Sequence, residues 1–210
     1  MRAALAVGAF ILGSGAANAA PDLAFPIGQG SEIFWTSAYD GGSDNFYERL
    51  VAEQDDVQIF QSVSEWAAGD ESDYFVLFSG IYYTGCDGEM PTAEERAAVA
   101  NMWPLTPGSS VEIKTGDGAK FEIGEPTDFY LMGRSRPAHK VTGTYYGEEE
   151  TTEEFVVLND VKLTVAIAWE EGGRDSATLV TKPDAVASTF ANTDLIGTCA
   201  DLLNTETDQN

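Results

Sequence analysis

Alternation of apolar and polar residues recurs along most of this chain, which is the period-two pattern of β-strands with one buried face. Residues 32–39, EIFWTSAY, place Ile33 and Trp35 on one side and end at the turn Asp40-Gly41-Gly42-Ser43. Residues 45–54, NFYERLVAEQ, have a helical alternative, but Phe46, Leu50 and Ala52 alternate and the flanking turns favour a strand. Val57 to Trp66 reads as a further strand, followed by a polar loop from Ala67 to Ser72. Tyr74 to Tyr83, YFVLFSGIYY, is apolar on both sides, which predicts one strand covered on each face.

Later in the chain the same reading gives strands at 111–115 and 120–123 about the turn Gly116-Asp117-Gly118, then at 128–133, 140–146, 155–158, 161–169 and 177–181. Two helices interrupt them. Thr92 and Glu95 form a capping-box pair ahead of Ala93 to Ala100, and Pro104 stops that run. Pro183 opens a C-terminal helical region, where Leu195, Cys199, Leu202 and Leu203 make one apolar stripe.

One phrase occurs twice. Phe25 to Thr36 reads FPIGQGSEIFWT and Trp103 to Thr115 reads WPLTPGSSVEIKT. In each, Pro26 or Pro104 fixes φ, Gly30 or Gly108 permits a tight turn, and an alternating strand follows. The fold class expected is mainly β: a curved antiparallel meander, half-barrel or sandwich, of about ten strands, with one linking helix and a C-terminal helix. Residues 20–204 form a single domain on this reading, which the repeat would divide into similar halves at 25–90 and 103–182. Residues 205–210 are polar and read as a loose tail.

Residues 1–19 have the pattern of an export signal: Arg2, an apolar stretch from Ala3 to Leu12 too short to span a bilayer, and Ala17-Asn18-Ala19 at the cut. No cysteine lies near the cut to carry a lipid, and no later run is long enough for a transmembrane segment. A periplasmic or secreted location follows. Removing these residues leaves 191 of 210 and takes the formal charge from −24 to −25. So acidic a chain repels nucleic acid and anionic lipid. Its only cysteines, Cys86 and Cys199, are 113 positions apart and would meet an oxidising compartment. No C-x-x-C motif or neighbouring base marks a reactive thiol, so a disulfide between them is the expectation.

The Pro-Ile/Leu-x-x-Gly openings at 26–30 and 104–108, the cysteine pair and the meander resemble uncharacterised exported β-rich proteins of Gram-negative bacteria, in which a Pro-Leu-x-x-Gly phrase opens a curved antiparallel sheet. The resemblance covers most of the mature chain. It implies a half-open barrel or strongly bent sheet and carries over no catalytic residue.

Candidate chemistry is sparse. Arg134, Arg136, the sole histidine His139 and Lys140 cluster within seven residues. They would suit an anion pocket, since guanidinium clamps carboxylate or phosphate. The simpler reading is a loop whose charges pair with acids on adjacent strands. No zinc motif, nucleophile elbow or EF-hand loop is present, and no cofactor is called for. The loops 40–45, 86–89 and 116–118 carry oxygen ligands, but Asp and Gly are also what turns require. Two carboxylates can hydrolyse a glycoside, yet sequence alone picks no pair from 35 acids. The tryptophans and many other aromatics suit a filled core or an apolar binding face. Three roles remain: a non-enzymatic binding or carrier module for a small apolar ligand, an acidic module that docks a basic protein partner, and a carboxylate hydrolase.

Overall fold

The computed structural model describes residues 27–64, 73–169, 172–182 and 197–203. The expectations for residues 1–19, Phe25-Pro26, Trp66, 67–72, Pro183, Leu195 and 205–210 fall outside them. The described residues form one sheet, not about ten strands but eleven: β1 (Glu32–Tyr39), β2 (Gly42–Gln54), β3 (Val57–Ser64), β4 (Asp73–Phe78), β5 (Tyr82–Gly85), β6 (Ser110–Ile113), β7 (Ala119–Leu131), β8 (Arg134–Tyr145), β9 (Thr151–Leu158), β10 (Leu163–Trp169) and β11 (Arg174–Val180). Helix α1 (Ala93–Ala100) stands between β5 and β6.

The strand order is β5-β4-β3-β2-β1-β11-β10-β9-β8-β7-β6, and each neighbouring pair is antiparallel. Chain neighbours therefore pair everywhere except between β5 and β6, while β11 returns to β1. Around this ring β5 and β6 stand ten antiparallel steps apart and run in the same direction. A hairpin cannot join two parallel strands; a crossover can. Helix α1 is that crossover, and it packs against both β4 and β6.

The sheet curls hard. β5 and β9 are seven spacings apart in the order, which in a flat sheet would separate them by about 34 Å at ~4.8 Å per strand. Instead, the Tyr83 hydroxyl on β5 donates to Glu153 Oε2 on β9 at 3.0 Å, and the Tyr83 ring meets Phe155 at 6.0 Å. The turn after β4 is pinned in the same way: Thr164 Oγ1 donates to the Gly80 carbonyl at 3.0 Å and Trp103 Nε1 to the Ser79 carbonyl at 2.8 Å. Gly80 is obligatory here, because its φ is +74° and a Cβ would run into the Lys162 carbonyl. Both faces of the rolled edge are consequently buried. Leu77 packs with Trp35, Phe60 and Leu163, whereas its neighbours Val76 and Phe78 pack with Val99, Met102 and Cys199.

The two copies of the proline phrase do the same thing. Gly30 (φ +90°) and Gly108 (φ +81°) make the turn. The Gly30 amide donates to Leu50 O at 2.7 Å and the Leu50 amide to Ser31 O at 2.9 Å; the Gly108 amide donates to Ile123 O at 2.7 Å and the Ile123 amide to Ser109 O at 2.9 Å. In both cases the strand receiving the turn bulges immediately afterwards, after Leu50 in β2 and after Ile123 in β7.

Several expectations are corrected. Tyr74 to Tyr83 is not one strand; Ser79 and Gly80, both with positive φ, break it into β4 and β5. The segments at 120–123 and 128–133 are one strand, and the segment at Arg134–Lys140 is not a loop but the first half of β8. Pro126 and Pro137 sit inside these strands although proline cannot donate to a ladder. They are tolerated because they lie beyond the ends of β6 and β9, whose pairings stop at Glu122 and Ala138, so no ladder bond is demanded of them on that side. The C-terminal α-helix does not form over the described tail: Gly197–Leu203 is a 3-10 helix, consistent with the weak helix propensity of Gly197 and Thr198.

Cys86, just after β5, and Cys199 form a disulfide with Cα atoms 5.2 Å apart. Cys199 and Leu202 sit in the same core as Val99 of α1, so the tail is stapled over the junction where β5 and β6 fail to pair. Replacing both cysteines with serine should lower unfolding free energy by up to about 4–5 kcal/mol, the chain-entropy value for so long a loop; a urea titration will read this, with far-ultraviolet dichroism unchanged.

Glu95 secures α1. The Thr92 amide donates to its Oε2 at 2.8 Å, and the same carboxyl accepts from the Lys114 amide at 2.6 Å and the Thr115 hydroxyl at 2.7 Å. Partial burial opposes ionisation, but these hydrogen bonds outweigh it and hold the carboxyl down near 2. A lowered pKa gives stability that is complete above the ordinary value of 4.5 and disappears as pH falls toward 2. Glu95→Gln should therefore cost stability at pH 6 and little at pH 2, a difference measurable by thermal melts at the two values.

Candidate functional site

Register places a connected set of side chains on the inside of the curl. Glu48 opposes Ile33 on β1 and Ser62 on β3; along β1, Ile33, Trp35 and Ser37 share its face. Ser37 opposes Asp175, Asp175 opposes Ile167, and Ile167 opposes Phe155. Glu153 is two residues from Phe155 and opposes Gly143, which is two residues from Tyr145. From Glu48 in the other direction, Leu50 opposes Phe60, Phe60 opposes Phe75, and Leu77 opposes Tyr83. The Tyr83–Glu153 contact closes this circuit through space, so it is the inner face.

Within it lies a cavity of about 290 Å³, lined by Trp35, Glu48, Phe60, Ser62, Phe75, Leu77, Tyr83, Gly85, Leu163, Thr164 and Ile167. Its walls are mostly aromatic and aliphatic. Ser62 and Thr164 add hydroxyls, and the ionisable carboxyl is that of Glu48, which accepts a hydrogen bond from Trp35 Nε1 at 2.9 Å. Glu48 touches the cavity but is otherwise enclosed by protein. Burial pushes its carboxyl up to about 8; the Trp35 bond opposes the rise and the Asp175 charge adds to it.

Two further acids share this interior. Asp175 is raised by burial against a hydrogen bond with Ser37, and Glu153 by burial against hydrogen bonding from Tyr83. The Tyr83 hydroxyl is driven upward by burial and then by the Glu153 charge, and that of Tyr145 by burial and its neighbours Tyr83 and Glu153. Asp175 Oδ1 is buried with no hydrogen-bond partner among the described residues. Arg49, Lys120, Lys140 and Arg174 have the opposite parity to these acids. Arg134 and Arg136 share a side of β8 with Ala138, which packs in the same core as Trp35 and Leu163, and Arg136 is itself buried.

The Arg134–Lys140 cluster has a different fate. Alternation along β8 puts Arg134, Arg136 and Lys140 on one side of the strand, with Arg136 buried, and His139 on the other, so the four do not converge. Arg136 is ion-paired with Asp160; Lys140 pairs with Glu154 at 2.9 Å; His139 Nδ1 bonds Asn159 Oδ1 at 2.8 Å. Arg134 is half-buried near the β7–β8 turn. Among the described residues no group of three or more His, Cys, Asp or Glu is arranged to hold a metal ion. The interior carboxyls escaped notice in the sequence because nothing in it tells which of the acids face inward. The one available sign was Glu48 itself, an acid on the same strand face as Phe46 and Leu50.

No family model matches the chain, and no curated protein matches it. Among solved structures, a candidate exported protein with a YmcC-like fold from Bacteroides fragilis is 13% identical, over 75% of this chain and 98% of that one, at a TM-score of 0.40. The hypothetical lipoprotein YmcC of Escherichia coli is 11% identical over 75% and 90%, at a TM-score of 0.44. The MucA/MucB complex of Pseudomonas aeruginosa gives 13% identity over 74% and 53%, at a TM-score of 0.36. Likenesses this low support no functional assignment, and none is taken from them.

Because its folded pKa is raised, Glu48 favours folding while protonated; that advantage is complete below 4.5 and is lost as pH rises toward about 8. Glu48→Gln should flatten the fall in stability between pH 5 and pH 8, which denaturant titrations at the two values will show.

Proposed function

We propose that this is an exported, non-enzymatic binding protein that holds a small, largely apolar ligand inside its curled sheet. The observation that carries the reading is the cavity itself: about 290 Å³ walled by Trp35, Phe60, Phe75, Leu77, Tyr83, Leu163 and Ile167, near the lower end of the ~300–1,000 Å³ usual for ligand sites. A fully packed interior would have left no such space. Export agrees with the signal-like residues 1–19 and with a disulfide, which persists in oxidising compartments. The resemblance to exported β-rich proteins of Gram-negative bacteria points to the periplasm.

A second reading, an acidic module that docks a basic protein, rests on the formal charge of −24. Charge complementarity of that kind would make capture salt-sensitive.

Ile167→Trp, which fills the cavity from β10, tests the first reading. Native mass spectrometry of protein recovered from its own compartment should show a bound small molecule on the wild type and none on the variant, with an equal melting temperature or a higher one. A wild type that carries nothing, and that takes up no apolar fluorescent probe, would remove the carrier role.

A further inference from the structure

The cavity is apolar, yet the charges around it are of one sign. Glu48 lines it, while Asp175 and Glu153 share its face of the sheet, and the Asp175 charge lies near enough to raise the pKa values of both Glu48 and Glu153. The ion pairs of Arg49, Lys120, Arg136 and Lys140 go instead to Glu32, Glu122, Asp160 and Glu154, so none of these strand-borne cations is spent on Glu48, Asp175 or Glu153. Buried acids are ordinarily paired or hydrogen-bonded. Here Glu153 has the Tyr83 hydroxyl and Glu48 has the Trp35 indole, both neutral donors. One Asp175 oxygen, Oδ1, is buried with no partner among the described residues. The aromatic rings of Trp35, Phe60, Phe75 and Tyr83 complete a wall whose faces attract cations.

From this geometry we infer that the ligand is an organic cation: an ammonium group on a small apolar body, with the charge directed toward Glu48 and Asp175 and the body against the aromatic wall. The inference rests on the binding role proposed above and narrows it. An anionic ligand would meet carboxyls alone. A neutral one would leave Asp175 Oδ1 unpaired unless it carried its own donor. An ammonium supplies up to three donors and, by favouring the ionised form, draws the proton from Glu48. The groups facing Glu48 that titrate are Asp175 on β11, with Glu153 on β9 and Tyr83 on β5 beyond it. All of them are acids, so binding has one sign of pH dependence.

Three probes of similar shape separate the possibilities: phenethylammonium, phenethyl alcohol and phenylacetate, titrated calorimetrically into the full mature protein. The cation should bind at least about tenfold more tightly than the alcohol, a difference of ~1.4 kcal/mol, and phenylacetate should bind least. Affinity for the cation should rise from pH 6 to pH 8 with release of a proton, while that for the alcohol stays level. Glu48→Gln should bring the cation down to the alcohol's affinity and leave the alcohol unchanged. Asp175→Asn, with melts to verify folding, should weaken the cation in the same direction. Alcohol binding as tight as the cation, or tighter phenylacetate binding, would overturn the charge inference and leave the cavity role intact. Failure of all three probes to bind the wild type would overturn both.

Discussion

Parity is the constraint on which this structure depends. In a sheet whose every neighbouring pair is antiparallel, the two edge strands of eleven run in the same direction and no hairpin can join them. Those edges are β5 and β6, which do not hydrogen-bond to each other. The connection between them is made by α1, held by the Glu95 contacts to Lys114 and Thr115 just past β6, and sealed by the Cys86–Cys199 disulfide. The helix, the cap and the staple all gather at the one place where the ladder cannot continue. An unpaired edge elsewhere would be a template for aggregation; here it is rolled inward and covered on both sides.

Rolling the edge inward also creates the interior. Tyr83 reaches Glu153, and Thr164 and Trp103 hold the Ser79-Gly80 turn, so the inner faces of distant strands confront one another. Most of the space is filled by Phe121, Phe155, Leu77 and their neighbours. Beside Glu48 it is not. A lone acid in an apolar wall costs stability whenever it ionises, and Glu48, Asp175 and Glu153 make that cost recur across one face. Stability alone would favour replacing them. Their sharing one face with a cavity gives them a use that packing does not.

Much of the local structure was legible. The Gly-Asp-Gly hairpin and the Thr92–Glu95 box depend on residues close in sequence, and each forms nearly where the pattern puts it. The alternation read over 161–169 is instead broken by a register shift at Thr164/Ala166 that leaves Thr164 buried. The two proline-led phrases make the same turn at Gly30 and Gly108, and the neighbouring strands supply its partners at Leu50 and Ile123. Where reading failed, a non-local partner decided. The segments at 120–123 and 128–133 join into β7 because pairing with β8 runs across both, with a bulge between Ile123 and Pro126. Ser79 broke an apolar run because the turn had to meet β10. The basic cluster looked like a loop until β8 distributed it over two faces.

The sequence by itself determined that this is a β-rich chain with a capped helix, a repeated strand-opening turn and two cysteines available to pair, because those features follow from φ preferences, alternation and short-range hydrogen bonding. The tertiary structure alone decided which carboxyls face inward and that Glu48 among them borders a cavity walled by aromatic rings. Facing is fixed by register and by curl, and both are set by strands more than a hundred residues apart, as where Trp35 on β1 lies opposite Ala177 on β11.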